Sequence, residues 1–420
     1  MPGLFPQHLK AFVARLGGAK AAPELGGRLV PDDPDNSGRF TVRRDTRRED
    51  VLSWWEGRKD SGQRWLADET ALAAVEQAGG NIENAIGMTG VPLGVAGPLR
   101  VKGLHASGEY LLPLATSEAA LVASYARGAE AINRAGGASA ALLGEAVLRA
   151  PAFVFGSLAE AGGFVAWAVE NEDELARAAQ STTSHGELCA IEPQVDTDTV
   201  FLVCRYTTGD ASGQNMVTIA TEAMCRWIIE NSPITPRHWF IEGNFSGDKK
   251  ASYLGLITSR GRKVSASVVL PEEVVRRVLR TTPDQMLAYA RVAQLGATLS
   301  GQIGAQGHFA NGLAALFIAT GQDAACVAES AVGFTRMEAR KEGLFMSVTL
   351  PNLMVGTVGG GTGLPHQNAA LELMGLAGTG HSRAFAEVAA SLCLAGEISI
   401  MAAIASGVFT KAHHKLARTR

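Results

Sequence analysis

The sequence has 420 residues, of which 48 are glycine; 46% of its side chains are hydrophobic and 19% charged, and 38 basic against 41 acidic groups give a formal net charge of -3. That length predicts two or three domains, and the near-neutral balance excludes a disordered chain or a bulk nucleic-acid-binding surface. Glycine, about 11% of the chain against a usual share near 7%, is the one unusual figure.

Five cysteines (Cys189, Cys204, Cys225, Cys326 and Cys393) are odd in number and form no C-x-x-C pair. This points away from a disulfide framework or a thiolate metal site and toward a reducing cytoplasm. Lys10 and Arg15 lie inside the first apolar stretch rather than before it, so no signal peptide is expected. Glu397 interrupts the apolar run 388–409, and Gly312, Gly321 and Asp323 punctuate 308–332, so no membrane span is expected and the protein reads as soluble.

In chain order, residues 1–80 read as a small helical arm, with helical apolar spacing through Val51, Leu52, Trp55, Leu66, Leu72 and Val75. Its Arg/Lys run at 39–64 reads as a solvated helix face. A strand is expected at 110–114 and a helix over 117–135. Residues 151–241 alternate β-like runs (152–155, 164–168, 200–206) with helices (172–179, 212–229), the pattern of a compact α+β module. Beyond 242, a strand pair is expected around 263–270, a short helix at 271–280, and longer helices at 282–299, 312–331, 367–375 and 381–416.

The glycines cluster at 87–97, in GDASGQ (209–214), in GNFSGD (243–248), at 301–312 and in GTVGGGTG (356–363). Such backbone turns sharply and lies close to a ligand, with N–H groups free for phosphate or carboxylate oxygens. For one cluster alone, tight turns explain as much. Neither a Walker A loop nor a G-x-G-x-x-G fingerprint is present. Few ionisable residues accompany these clusters: Glu118, the trio Asp248, Lys249 and Lys250, Asp323, and the pair His413 and His414. A charge within apolar sequence is expensive to bury unless paired, which singles out Glu118 and Asp323. Otherwise Glu118 is a first-turn acid behind a Thr116 or Ser117 cap and Asp323 a turn cap, with the lysines on the surface. No metal-ligand spacing is present, and no metal is expected.

Seven blocks in order carry a resemblance: ENAIGMTGVPLGVAGPL, LATSEAALVASYARGAEAIN, TGDASGQNMVTIATEA, GNFSGDKK, FANGLAALFIATGQDAA, LPNLMVGTVGGGTGLPHQNAALELMG and GEISIMAAIASGVFTKAH. Together, from Glu83 onward, they resemble 3-hydroxy-3-methylglutaryl-coenzyme A (HMG-CoA) reductase in its class I-like form. The resemblance implies reduction of HMG-CoA to mevalonate and coenzyme A with two NADPH, NADH being the alternative. It implies an α+β fold: a small N-terminal helical domain (1–80), a large helix-rich CoA-substrate domain (81–150 and 242–420), and an inserted ferredoxin-like, non-Rossmann NAD(P)-binding domain (151–241). A homodimer or higher even oligomer with active sites at the subunit interface follows, in the cytoplasm, with no membrane anchor and no nucleic acid.

By matching position, the resemblance implies Glu118, Lys249, Asp323 and His413 as catalytic residues. Lys249 would stabilise the oxyanion, His413 protonate the departing CoA thiolate, and Glu118, kept neutral in an apolar site, protonate the aldehyde, with Asp323 bonding both Lys249 and Glu118. Arg149, Glu242, Asp248, Lys250 and Asn311 would line the acyl site. Ser184, His185, Asp210, Gln214, Asn215, Gly359, Gly360, Gly361 and Thr362 would meet the cofactor. Four features depart from the family pattern: Glu242 and Ala412 stand where serine is usual, GDKKASYLG replaces the usual DKKPAAIN, and His185 replaces an arginine expected to grip a 2′-phosphate. Glu242 keeps open a reductase for another acyl-CoA or carrier-bound acyl group, and an inactive CoA-binding homologue is the third reading.

Overall fold

Alternation of buried and exposed residues builds the strands that organise this chain. The computed structural model describes residues 47–57, 69–77 and 82–407, with Ala14 and Leu66. Two compact units are distinguished; the second comprises residues 64–82 and 87–420. Helix α1 (Arg48–Glu56) belongs to the first. Every other described helix and strand, beginning with α2 (Glu69–Gln77), belongs to the second.

In that second unit, β1 (Leu93–Gly103) and β2 (Ser107–Ala115) form an antiparallel pair. Helix α3 (Leu121–Arg134) then leads to β3 (Ala138–Arg149). β3 pairs along 139–146 with the later strand β8, and at 147–149 with β6. It therefore runs from a larger sheet into a smaller one. The smaller sheet continues with β4 (Ala152–Val154), α4 (Leu158–Glu170), α5 (Glu172–Gln180), β5 (Glu187–Asp196), β6 (Thr199–Thr207), α6 (Gln214–Asn231) and β7 (His238–Phe240). Its antiparallel order β7-β4-β6-β5 is the ferredoxin-like β-α-β-β-α-β arrangement.

After α7 (Tyr253–Thr258), β8 (Gly261–Leu270) returns to the larger sheet. A helical turn at Glu272–Val274 runs into a π-helix at Val275–Leu279. There follow α8 (Pro283–Ser300), β9 (Gly304–Ala305), α9 (Phe309–Thr320), α10 (Val327–Ser330), β10 (Gly333–Arg340), β11 (Gly343–Leu353), α11 (Pro365–Leu373) and α12 (Ser382–Ala405). The larger sheet is ordered β2-β1-β3-β8-β11-β10-β9, with β1 parallel to the start of β3. This is the expected α+β class, with more strand in the larger part than a helix-rich reading anticipates.

Helix α12 forms much of the core. Contrary to the sequence expectation, it is long and apolar enough to cross a membrane by length and composition, yet 83% of its apolar window is buried within the fold. Its two acids are buried without loss of partners. Glu387 accepts N–H groups from Leu104, His105, Ala106 and Leu142 at 2.7–3.2 Å. Glu397 accepts from Gly307 N and His308 N at 2.8 Å and from the Thr335 hydroxyl at 2.7 Å, with His308 Nδ1 at 3.0 Å. Burial pushes the Glu397 carboxyl up, but these donors and the His308 charge outweigh it and hold the group below its ordinary range. The close crossing of α3 on α12 requires Gly128, where a Cβ would lie 1.9 Å from the Ala395 carbonyl oxygen.

Several boundaries differ from the sequence reading. Residues 164–168, apolar and aromatic enough for a strand, lie inside α4, where Ala161, Phe164 and Ala168 share its buried face. A short apolar run does not distinguish the two periods. The expected strand pair near 263–270 is the single strand β8, which finds its partners in β3 and β11. The helix expected over 312–331 begins at Phe309 and breaks at Gly321, φ +71°.

Candidate functional site

Two glycine clusters converge on one cleft. Its volume is about 480 Å³, and its walls are residues 211–216, Lys249, residues 321–323, Gly356 and residues 358–362. GDASGQ and GTVGGGTG are joined by a bridge between Ala211 and Val358, and Thr357 N donates to Asp210 O at 2.9 Å. A side chain at Gly356 would lie 2.5 Å from Ser212 N, so the approach needs glycine there. Gly359 and Gly360 have φ of +76° and +55° with nothing within 4 Å of a notional Cβ, leaving open backbone at the cleft. Gln214 and Asn215 open α6 after Gly213 with no side-chain cap, so first-turn amides stand at the cleft wall. Such open glycine backbone and free amides fit the phosphates of a dinucleotide.

Lys249 and Asp323 meet in the cleft, Nζ to Oδ2, at 2.9 Å. The hydrogen bond that Lys249 donates to Asp323 is the chief reason its ammonium is held above the ordinary lysine range. Partial burial raises Asp323, but Lys249, Ala325 N and Gln214 together hold it below the usual carboxylate range. Both groups are therefore charged near neutrality. Asp323 also caps the 3₁₀ turn Ala324–Cys326 through Ala325 N, as its structural reading expects, while it pairs with Lys249 in the cleft.

Behind Lys249 lies a charge network. Asp248 accepts from Arg149 Nη1 at 2.9 Å and from Arg260 Nη2 at 2.8 Å, and Arg260 Nη1 reaches Glu329 at 2.5 Å. Desolvation opposes the Asp248 charge, yet Arg260 and Arg149 prevail and keep it low. Glu242 lies 3.5 Å from Arg149 Nη1. Lys250 is exposed and donates to the Asp248 carbonyl at 2.9 Å. Lys249 itself has a left-handed conformation, φ +57°, which a lysine adopts at a cost of about 1–3 kcal/mol and keeps only when its surroundings enforce it.

The remaining expected residues are placed as follows. Glu118 is exposed and precedes α3, which starts at Leu121 after Ala120 at φ +68°, so it is neither a first-turn acid nor in an apolar site of this chain. Its carboxylate accepts from Asn311 Nδ2 at 2.8 Å, and that amide, not Asp323, is its partner. Asp210 accepts from Gly380 N at 2.8 Å and Ser382 N at 3.2 Å, tying its loop to the start of α12. Ser184 and His185 are exposed and bonded to each other, Oγ to Nδ1, at 3.0 Å. Their loop reaches α6, with Thr183 Oγ1 3.1 Å from Met216 Sδ, but it does not line the cleft. His413 lies outside the described residues, as do His414 and most of the expected arm at 1–80.

Sequence reasoning missed Gly321 and Gln322 as cleft walls and Arg260 and Glu329 behind it. Glu329 carried part of the signal that singled out Asp323, a charge in largely apolar sequence, whereas Arg260, beside Arg262 and Lys263, did not. Among the described residues, no group of three or more His, Cys, Asp or Glu side chains is arranged to hold a metal.

Comparison with known proteins places this architecture. The family model for hydroxymethylglutaryl-coenzyme A reductase matches residues 45–418. A 3-hydroxy-3-methylglutaryl-coenzyme A reductase of Methanothermobacter thermautotrophicus is 45% identical over 341 residues, 80% of this chain and 85% of its own length. One from Aeropyrum pernix is 44% identical over 355 residues, 83% and 84% of the two chains. Among solved structures, a class II enzyme of that name from Streptococcus pneumoniae, bound to NADPH in open conformations, is 20% identical. It covers 86% of this chain and 97% of its own at a TM-score of 0.63, a likeness of fold. The match spans the converging glycine loops and the Lys249–Asp323 pair alike, and on it the chain belongs to the hydroxymethylglutaryl-coenzyme A reductase family.

Proposed function

We propose that this protein reduces HMG-CoA to mevalonate and free CoA, oxidising two NADPH. The observation that carries the reading is the charged Lys249–Asp323 pair, 2.9 Å apart, in a cleft whose other walls are two glycine loops. NADPH supplies the hydride in each of the two reductions. Hydride arriving at the thioester carbon leaves negative charge on the carbonyl oxygen, and the Lys249 ammonium stabilises it. Asp323 keeps that ammonium charged and oriented. Loss of CoA as a thiolate calls for a proton, which His413 gives; the second reduction ends with protonation of the aldehyde oxygen, which falls to Glu118. Asn311 orients the Glu118 carboxyl.

Residues 151–241, with the ferredoxin-like β4-to-β7 topology, are the proposed NAD(P)-binding domain. Residues 81–150 and 242–420 form the substrate domain, and 1–80 the helical domain. The working unit is a dimer. A reducing cytoplasm suits five free cysteines, four of them buried. NADH is the second donor because His185 stands where the family's arginine, a bidentate grip for a 2′-phosphate, is expected.

The test is turnover by the full chain with HMG-CoA and each nicotinamide in turn. Two NADPH should be consumed per CoA thiol released, and Lys249→Met should lower kcat by at least about 10²-fold, the loss expected for one oxyanion-stabilising group. No oxidation of either nicotinamide sinks the reaction; wild-type rates in the Lys249 variant sink the site.

A further inference from the structure

Arg149 closes β3 with its side chain only 9% exposed, and each of its three nitrogens has a partner inside the protein. Nε donates to Thr218 Oγ1 at 2.9 Å, Nη1 to Asp248 Oδ2 at 2.9 Å, and Nη2 makes a long contact with Gln214 O at 3.4 Å. Glu242 Oε2 crowds the same Nη1 at 3.5 Å. With Arg260 and Glu329 included, two guanidinium groups face three acidic side chains, Glu242, Asp248 and Glu329. Both guanidinium groups of the cluster are thus engaged by carboxylates.

Glu242 is the most weakly held of the three acids. Among the described residues, besides the 3.5 Å approach to Arg149, it has one hydrogen bond, from Ala150 N at 3.4 Å, and its Oε1 is buried with no partner. Asp248, by contrast, is clamped between two arginines at 2.8 and 2.9 Å. A carboxylate so poorly satisfied adds little to the fold, yet it stands beside Arg149.

We propose that Glu242 is a specificity-determining residue acting through Arg149: an internal carboxylate that competes with the terminal carboxylate of the substrate acyl group. It rests on the HMG-CoA reading of the same site. The acyl carboxylate arrives as a third anion on one guanidinium and is repelled by Glu242, so the enzyme holds a dicarboxylic acyl group more weakly than Arg149 alone would. CoA itself, which lacks that carboxylate, does not sense Glu242.

The experiment compares wild type, Glu242→Gln and Glu242→Ser by equilibrium binding of free 3-hydroxy-3-methylglutarate and, separately, of CoA. The Kd of the diacid should fall about tenfold in both variants, about 1.4 kcal/mol, while that of CoA moves less than twofold. KM for HMG-CoA should fall with it. In an Arg149→Met background, Glu242→Gln should leave the diacid Kd where the Arg149 change alone puts it. Unchanged or weaker diacid binding in both variants overturns the proposal. So does an equal shift for CoA, or an undiminished effect without Arg149; either would mark a merely structural role. Glutamine keeps the size and the bond to Ala150, so it guards against loss of folding by serine. If wild type fails to turn over HMG-CoA, the reaction is refuted while the two binding measurements still decide on Glu242.

Discussion

Lys249 combines an unusual backbone with an ordinary proposed role, that of bringing positive charge to the place where negative charge would develop. Its partner Asp323 is what makes the charge dependable, and the directions of the two shifts fix the window. Asp323 is depressed below the usual aspartate value of about 3.9, so its charge is lost only as pH falls through that lower value. Lys249 is raised above about 10.4, so its charge is lost only as pH rises beyond that. Any stability from the pair is present between those limits and is small, because the side chains are 44% and 38% exposed. The pair therefore contributes no limb to the rate profile between about pH 5 and 9, given those reference values. A limb near neutrality in kcat/KM is expected from His413, and His413→Gln should abolish it; its persistence would assign the proton to another group. Asp323→Asn should lower kcat by about 10²-fold, through Lys249, when turnover is measured at fixed pH.

Between elements, the buried pair of Arg260 and Glu329 ties the turn before β8 to α10, and through Asp248 it reaches the Lys249 loop. Both side chains are almost wholly buried, and burial keeps Glu329 above its ordinary value despite the arginine beside it. Breaking such a pair strands a charge: Arg260→Met is expected to destabilise the fold by about 3–5 kcal/mol in denaturant unfolding. Adding Glu329→Leu should restore part of that loss, since a matched apolar pair leaves less charge uncompensated. No recovery would show that the Asp248 contact, not the Glu329 contact, carries the cost. Here the limit of sequence reading is visible. Asp323 drew notice because a glycine motif framed it, whereas Arg260 and Glu329 are 69 positions apart and become one feature only when β8 and α10 meet. Strands β5, β6 and β8 to β11 show a similar division. Alternation in β11 buries every second residue through Leu350 and was available to find, but only pairing with β10 and β8 distinguishes it from a helix-bounded turn.

For the whole molecule, the motif blocks made the family and the α+β module legible, because ligand-facing glycines and their neighbouring charges sit in contiguous sequence. What they left hidden is how exposed one half of the proposed chemistry is. Glu118 lies on the surface of the single chain, its carboxylate bonded to Asn311, where water would compete for the proton it is proposed to give. The same chain leaves apolar side chains open to solvent: Val292, Leu295 and Leu299 form a stripe at helical spacing on α8, and Leu93 and Val95 are exposed on β1. Surface of this kind favours burial against another subunit, and the proposed dimer would satisfy both needs by closing the site and covering the stripe. Wild-type protein is accordingly expected to sediment as a dimer or a higher even oligomer. Leu295→Glu with Leu299→Glu places two charges in that stripe and should shift the protein toward monomer, with activity falling in proportion to the assembled fraction measured in the same sample. A monomeric variant that turns over at the wild-type rate would separate catalysis from assembly and return Glu118 to an exposed surface acid.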